Sequence, residues 1–171
     1  SEKINAFKPH ITIIIHYNAG GGEVSHSYYN LTFIPGSFLK GELSDSAARY
    51  EFVRLIVTND LEESLRLSKL IAKNMGNTLH VPLMTSSWYQ ANNARFIDDG
   101  VYCRNLTLTR RVHGPLCYGE TLIQNNPEEA KRLAQKDFSL NEVITSSRVA
   151  EVAKAYLQGI CEYLELKLNQ Q

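Results

Sequence analysis

Two side chains in this 171-residue chain stand where chemistry could be done. His16 follows the run Ile11-Thr12-Ile13-Ile14-Ile15, with Asn18 just after it and Gly20-Gly21-Gly22 opening a loop beyond. Glu120 follows the apolar stretch Leu116-Cys117-Tyr118-Gly119. Each is a titratable group delivered at the C-terminal end of an expected strand, the edge of an open α/β sheet where ligands and catalytic groups gather. An imidazole there can ligate a metal or carry a proton. A carboxylate beside a metal suits metal-assisted hydrolysis, in which the metal acidifies a water and polarises a carbonyl while the carboxylate moves protons. The plainer alternatives are a histidine satisfied by backbone hydrogen bonds and a glutamate that caps the next helix.

The elements that must position these groups follow from local pattern. The run 11–15 is β-branched throughout and too short for a core helix, which predicts a strand buried on both faces of a helix-covered sheet. Residues 1–7 read as the tail of a helix that Lys8-Pro9 ends. A second strand is expected over 27–33, closed by Pro35-Gly36, then loop over 37–45. Residues 47–54 fit either a short helix or the approach to a strand at 52–58. Asn59-Asp60 should cap the clearest helix, with Leu61, Leu65, Ser68, Ile71 and Ala72 at helical spacing and an end near Met75-Gly76.

Residues 82–93 look irregular, and strands are expected over 100–107 and 116–119, flanking a basic segment at 110–115. Pro127, Glu128 and Glu129 suit a helix start. A final helix over 146–166 carries an apolar stripe of Val149, Val152, Ala153, Tyr156, Ile160, Tyr163 and Leu164, which reads as core. The pattern is that of a single α/β domain.

Composition narrows the partners. Eighteen basic and eighteen acidic residues balance, which gives no electrostatic case for nucleic acid or an anionic membrane surface. No apolar run is long enough to cross a bilayer, and no signal peptide or lipidation motif is present. Cys103, Cys117 and Cys161 show no metal spacing; Cys103 and Cys117 fall in expected strands and could be neighbours. His10, His26, His80 and His113 lack the paired spacing of metal ligands.

Beyond these readings, His16-Tyr17-Asn18-Ala19 resembles the "SIHxNA" segment of zinc-dependent N-acetylmuramoyl-L-alanine amidases, bacterial cell-wall hydrolases. The stretch 115–129 resembles that family's "PAxLVExGFxxNxxE" segment, with Glu120, Asn126 and Glu129 in register, and Ile4-Asn5-Ala6-Phe7-Lys8-Pro9 resembles the approach to the histidine strand. The resemblance runs in order along nearly the whole chain. It implies a three-layer α/β/α fold with a mostly parallel sheet lacking its N-terminal strands, so that residues 1–171 form a single, partial amidase catalytic domain. His16 would be one of three protein ligands to one zinc ion, and Glu120 the catalytic carboxylate. The bond cut would join the lactyl group of N-acetylmuramic acid to L-alanine of the stem peptide. The partner would be peptidoglycan, in the cell envelope, periplasmic or secreted, with any activator protein unidentified.

Three departures qualify the implication. The family's "GHGG"-type histidine and its ligand glutamate would both lie upstream of this chain, so His16 alone should hold zinc weakly or not at all. Leu122-Ile123 replaces the family's Gly-Phe after the catalytic glutamate, and those residues shape the strand exit. Ala47-Ala48-Arg49-Tyr50 resembles the start of an inhibitory helix inserted in some relatives. Two other functions compete: a non-catalytic cell-wall binding or scaffold module that kept the fold and lost the zinc, and a zinc peptidase acting on ordinary peptides.

Overall fold

The structure, a computed structural model, describes residues 1–85 and 93–169. Helix α1 (Glu2–Ala6) ends ahead of Pro9, and strand β1 (Thr12–Asn18) follows. Next come β2 (Leu31–Ile34), α2 (Ser46–Val57) and α3 (Asp60–Leu79), then β3 (Ala94–Asp98), β4 (Val101–Arg104) and α4 (Thr107–Arg111). The chain continues through β5 (Leu116–Ile123), α5 (Pro127–Leu133), β6 (Phe138–Leu140), β7 (Val143–Thr145) and α6 (Ser147–Leu168).

Five strands form one sheet in the order β1-β5-β2-β4-β3, flanked by helices as expected of the α/β class. The sheet is mixed. β1 with β5 and β2 with β4 run parallel, whereas β5 with β2 and β3 with β4 run antiparallel. The last pairing is forced by a two-residue turn, Asp99-Gly100, in which Gly100 takes φ +69°. β6 and β7 make a separate hairpin.

The β-branched run is a strand, but it is not buried on both faces. β1 lies at the edge of the sheet and Ile15 is 54% exposed. β-Branched residues favour a pleated backbone wherever it sits, so composition marks the strand without its place in the sheet. β5 takes the buried position, with every residue but Tyr118 buried.

Other boundaries moved for local reasons. Residues 46–57 are helix rather than strand, because Asp45 Oδ1 accepts the Ala48 N–H at 2.8 Å and starts α2. α3 passes through Gly76 and ends when His80 takes the left-handed conformation, φ +54°, that Gly76 was expected to supply. β2 starts only at Leu31, β4 stops at Arg104, and β3, α4 and the β6–β7 hairpin carry no signal read in the sequence. Of the irregular stretch 82–93, residues 86–92 lie outside the described residues.

α3 and α6 pack on one face of the sheet over Leu67, Ile71, Met75, Cys117, Val152, Tyr156 and Tyr163. Ala153 and Leu164, expected in the α6 stripe, are exposed instead, while Ala155 and Gly159 are buried. A Cβ on Gly159 would come within 2.8 Å of Ile71 Cα, so glycine permits the close approach of the two helices. Ser146 Oγ caps α6 by accepting the Val149 N–H at 3.1 Å. Cys103 and Cys117 are not neighbours, since β2 lies between their strands. Both are free and buried, and burial pushes their thiols up to about 11 and about 12.

Candidate active site

Parallel pairing of β1 with β5 sets His16 opposite Glu120. His16 Nδ1 lies 2.9 Å from Glu120 Oε2, across 104 residues of chain. The imidazole side chain is 52% exposed and the carboxylate 10%. Glu120 Oε1 and His16 Nε2 make no hydrogen bond to any described residue. A neutral imidazole that donates its Nδ1 proton to the carboxylate carries its lone pair on Nε2, free to ligate or to accept a proton.

Aromatic groups form a wall beside the pair. Tyr118 precedes Glu120 by one strand repeat and shares its face, with its ring centroid 5.7 Å from that of His16 and 6.3 Å from that of Phe33. The Arg104 guanidinium sits 5.2 Å over the Phe33 ring. Burial raises the Tyr118 phenol above its ordinary value, the Glu120 charge raises it further, and Arg104 offsets part of the rise. Tyr118 was findable from strand alternation with Glu120. Arg104 carries no such signal, because its place depends on the non-local pairing of β4.

The opposite face of β5 supplies a floor. A Cβ on Gly119 would fall 1.8 Å from Tyr156 Oη, so only glycine lets α6 approach there. The Tyr156 hydroxyl lies 2.7 Å from Thr121 Oγ1, and burial first of all holds its phenol well above the ordinary value. Just beyond Glu120 the pairing slips: Tyr17 is opposite Thr121, but Asn18 is opposite Ile123. Leu122 is the bulged residue and takes φ +57°.

The loop after β1 is tied to the strand exit. Asn125 Oδ1 accepts the Gly20 N–H at 2.8 Å, and its Nδ2 donates to the Gly20 and Gly22 carbonyls at 3.1 and 3.0 Å. Asn126 Oδ1 caps α5 by accepting from the Glu128 and Glu129 amides. Glu129 itself turns into the core and pairs with Arg148, so this third residue of the motif holds helices together.

The other histidines do not join the pair in a metal cluster. His113 Nε2 lies 3.7 Å from Glu51, and His10, His26 and His80 are exposed. Among the described residues no group of three or more His, Cys, Asp or Glu could hold a metal ion. His16 and Glu120 by themselves therefore fall short of the three protein ligands that a catalytic zinc requires.

No protein-family model matches the chain, and no curated protein matches it in sequence. Solved structures do match. One is the CwlD amidase of Clostridioides difficile in complex with the GerS lipoprotein, at TM-score 0.60 and 19% identity, covering 96% of this chain and 59% of that one. Another is the N-acetylmuramyl-L-alanine amidase Ami1 of Mycobacterium smegmatis, at TM-score 0.61 and 13% identity, covering 96% and 58%. The apo form of Ami1 from Mycobacterium abscessus matches at TM-score 0.58 and 16% identity, covering 95% and 58%. The chain thus spans less than two thirds of the length of these proteins, and across that span it has the fold of N-acetylmuramyl-L-alanine amidases.

Proposed function

We propose that this chain carries part of the catalytic site of a peptidoglycan amidase that cleaves the bond between N-acetylmuramic acid and L-alanine of the stem peptide. The observation that supports the reading is the His16–Glu120 pair, 2.9 Å apart on the C-terminal halves of two neighbouring parallel strands, in a fold shared with three amidases.

Amide hydrolysis needs a water deprotonated as it attacks the carbonyl carbon and a proton delivered to the departing amine. Glu120 suits both tasks. Its Oε1 is unengaged by any described residue, and its Oε2 is held by His16. A carboxylate that takes the water's proton and passes it to the L-alanine nitrogen leaves a free lactyl carboxylate and ends in its starting state. Tyr118 and Phe33 wall the pair and lower the local dielectric. His16, its ring fixed by the Nδ1–carboxylate contact, would be one ligand to a zinc ion. Two further ligands would come from polypeptide outside these 171 residues, and zinc bound there would supply Lewis acidity. Among the described residues β1 pairs with β5 alone, and its other edge is where added strands would dock.

The protein would act in the cell envelope, periplasmic or secreted, with peptidoglycan as its substrate. The GerS complex of CwlD motivates a search for an activator protein. The incomplete donor set favours a second reading, a cell-wall binding module without catalysis. One experiment separates them. The longer protein containing this chain is incubated with purified peptidoglycan, and released peptides and new lactyl carboxylates are measured for wild type and Glu120→Gln. Release by wild type alone supports the amidase; binding without release by either supports the module. Peptides cut internally, with no lactyl carboxylate, would point to a peptidase.

A further inference from the structure

The face of β5 that carries Glu120 is kept clear by a departure from strand geometry. Cys117, Gly119 and Thr121 face the helices: Cys117 lies in the helix-side core, Gly119 lies against Tyr156, and Thr121 bonds to Tyr156. Tyr118 and Glu120 face the other way, toward Phe33 and His16. Simple alternation would put Leu122 on the Glu120 face, one strand repeat further on. Leu122 lies instead in the helix-side core with Cys117 and Tyr156, 1% exposed. Its φ of +57° and the skipped register with β1 make this reversal. An apolar L-residue enters that region rarely and must be held there.

The holding group is Asn30. The Leu122 N–H donates to Asn30 Oδ1 at 2.7 Å in a fully buried setting. The Asn30 main chain is committed elsewhere: its N–H donates to the Pro82 carbonyl at 2.9 Å, and its carbonyl accepts from the Met84 N–H at 3.0 Å. β2 begins only at the next residue, so the side chain supplies the acceptor the sheet does not offer Leu122. Asn30 Nδ2 is buried without a partner among the described residues. A buried amide with half its capacity unmet is costly, which argues that Oδ1 fulfils a specific need.

We propose that Asn30 is a positioning residue of the candidate site. By holding Leu122 in the left-handed conformation, it keeps an apolar side chain off the Glu120 face and lets the carboxylate meet His16. The inference rests on His16 and Glu120 being the reacting pair. Its test has a readout independent of hydrolysis: the backbone shifts and HN–Hα coupling of Leu122, and the imidazole 15N shifts of His16, by NMR at one fixed pH.

Asn30→Ala should move Leu122 from left-handed to extended values, abolish the His16 Nδ1–carboxylate signature, and slow hydrolysis by the longer protein at least about tenfold. Asn30→Asp retains an acceptor and should keep both signals. Asn30→Ala combined with Leu122→Gly should recover the His16 signature and most of the rate, because glycine takes φ > 0 unaided. A purely structural role would lower stability without moving either signal. The proposal is overturned if folded Asn30→Ala leaves both signals unchanged, or if the double variant folds without recovering the His16 signature. If Asn30→Ala does not fold, the other two variants decide. Movement of both signals in a protein that never shows hydrolysis would sink the amidase reading and leave the positioning role standing.

Discussion

Glu120 and Glu129 leave the same short stretch of chain and meet opposite fates. Glu129 is 1% exposed and fully engaged. Arg148 Nε and Nη2 donate to its two oxygens at 2.9 and 2.7 Å in a fork-to-fork pair, and Arg148 Nη1 also holds the Leu79 carbonyl at 3.1 Å. That pair joins α5, α6 and the end of α3. Glu120 keeps one oxygen free of hydrogen bonds to described residues, and its partner His16 is half exposed. A carboxylate with both oxygens held by arginines ties elements together. One with an oxygen left open by the described residues can engage a water or a substrate. The difference in satisfaction, rather than the shared residue type, separates a structural glutamate from a candidate catalytic one.

The comparison can be broken from either side. The largest effect should come from Arg148→Ala, which leaves the buried Glu129 carboxylate, among the described residues, with only the longer 3.4 Å contact to Arg132 and should cost about 3–5 kcal/mol of unfolding free energy in urea titrations. A loss under about 1 kcal/mol would mean that Glu129 is no more committed than Glu120. Glu120→Gln should do the reverse, slowing hydrolysis by the longer protein at least about a hundredfold, near 3 kcal/mol of barrier, with a urea midpoint close to wild type. Substantial residual activity would remove Glu120 from the chemistry. Asn126→Ala, which deletes the α5 cap between the two glutamates, should cost about 1 kcal/mol. Its effect on hydrolysis should be small if the cap serves the Glu129 side alone.

The smallest expected change concerns pH, and it uses a third buried carboxylate. Burial pushes Glu63 up, but the Tyr163 hydroxyl, donating at 2.6 Å, and Lys167, with help from the charge of Arg66, more than offset it and leave the carboxyl below its ordinary value. A carboxyl lowered on folding contributes its stability above the unfolded value of about 4.3 and loses it as pH falls through the folded value. Glu63→Gln should therefore flatten the acid limb of the stability curve below about pH 4.3 without reshaping it near neutrality. An unchanged acid limb would show that Glu63 is not among the groups held ionised by the fold.

Much of the fold was legible because its signals are local. Asn59-Asp60 and Ser146 marked helix starts, although only Ser146 makes the side-chain cap bond, Asn59 making none; Pro9 and Pro127 marked boundaries, and the apolar run 11–15 marked a strand, since caps, ring constraints and side-chain branching act within a few residues. His16 and Glu120 were legible as groups carried by strands for the same reason, but both lie inside β1 and β5 rather than just past their ends, because the strands run on beyond the apolar runs that marked them.

What the chain could not disclose alone is every feature that depends on which strand lies beside which. Only the tertiary structure made β1 an edge strand, put β2 between Cys103 and Cys117, and sent Glu129 to Arg148. It alone turned Leu122 over beyond Glu120, where the Leu122 N–H donates to Asn30 Oδ1, 92 positions away. Residue type and spacing determined which groups could react. The parallel register of β1 on β5, a non-local pairing that no periodicity encodes, decided that His16 and Glu120 meet.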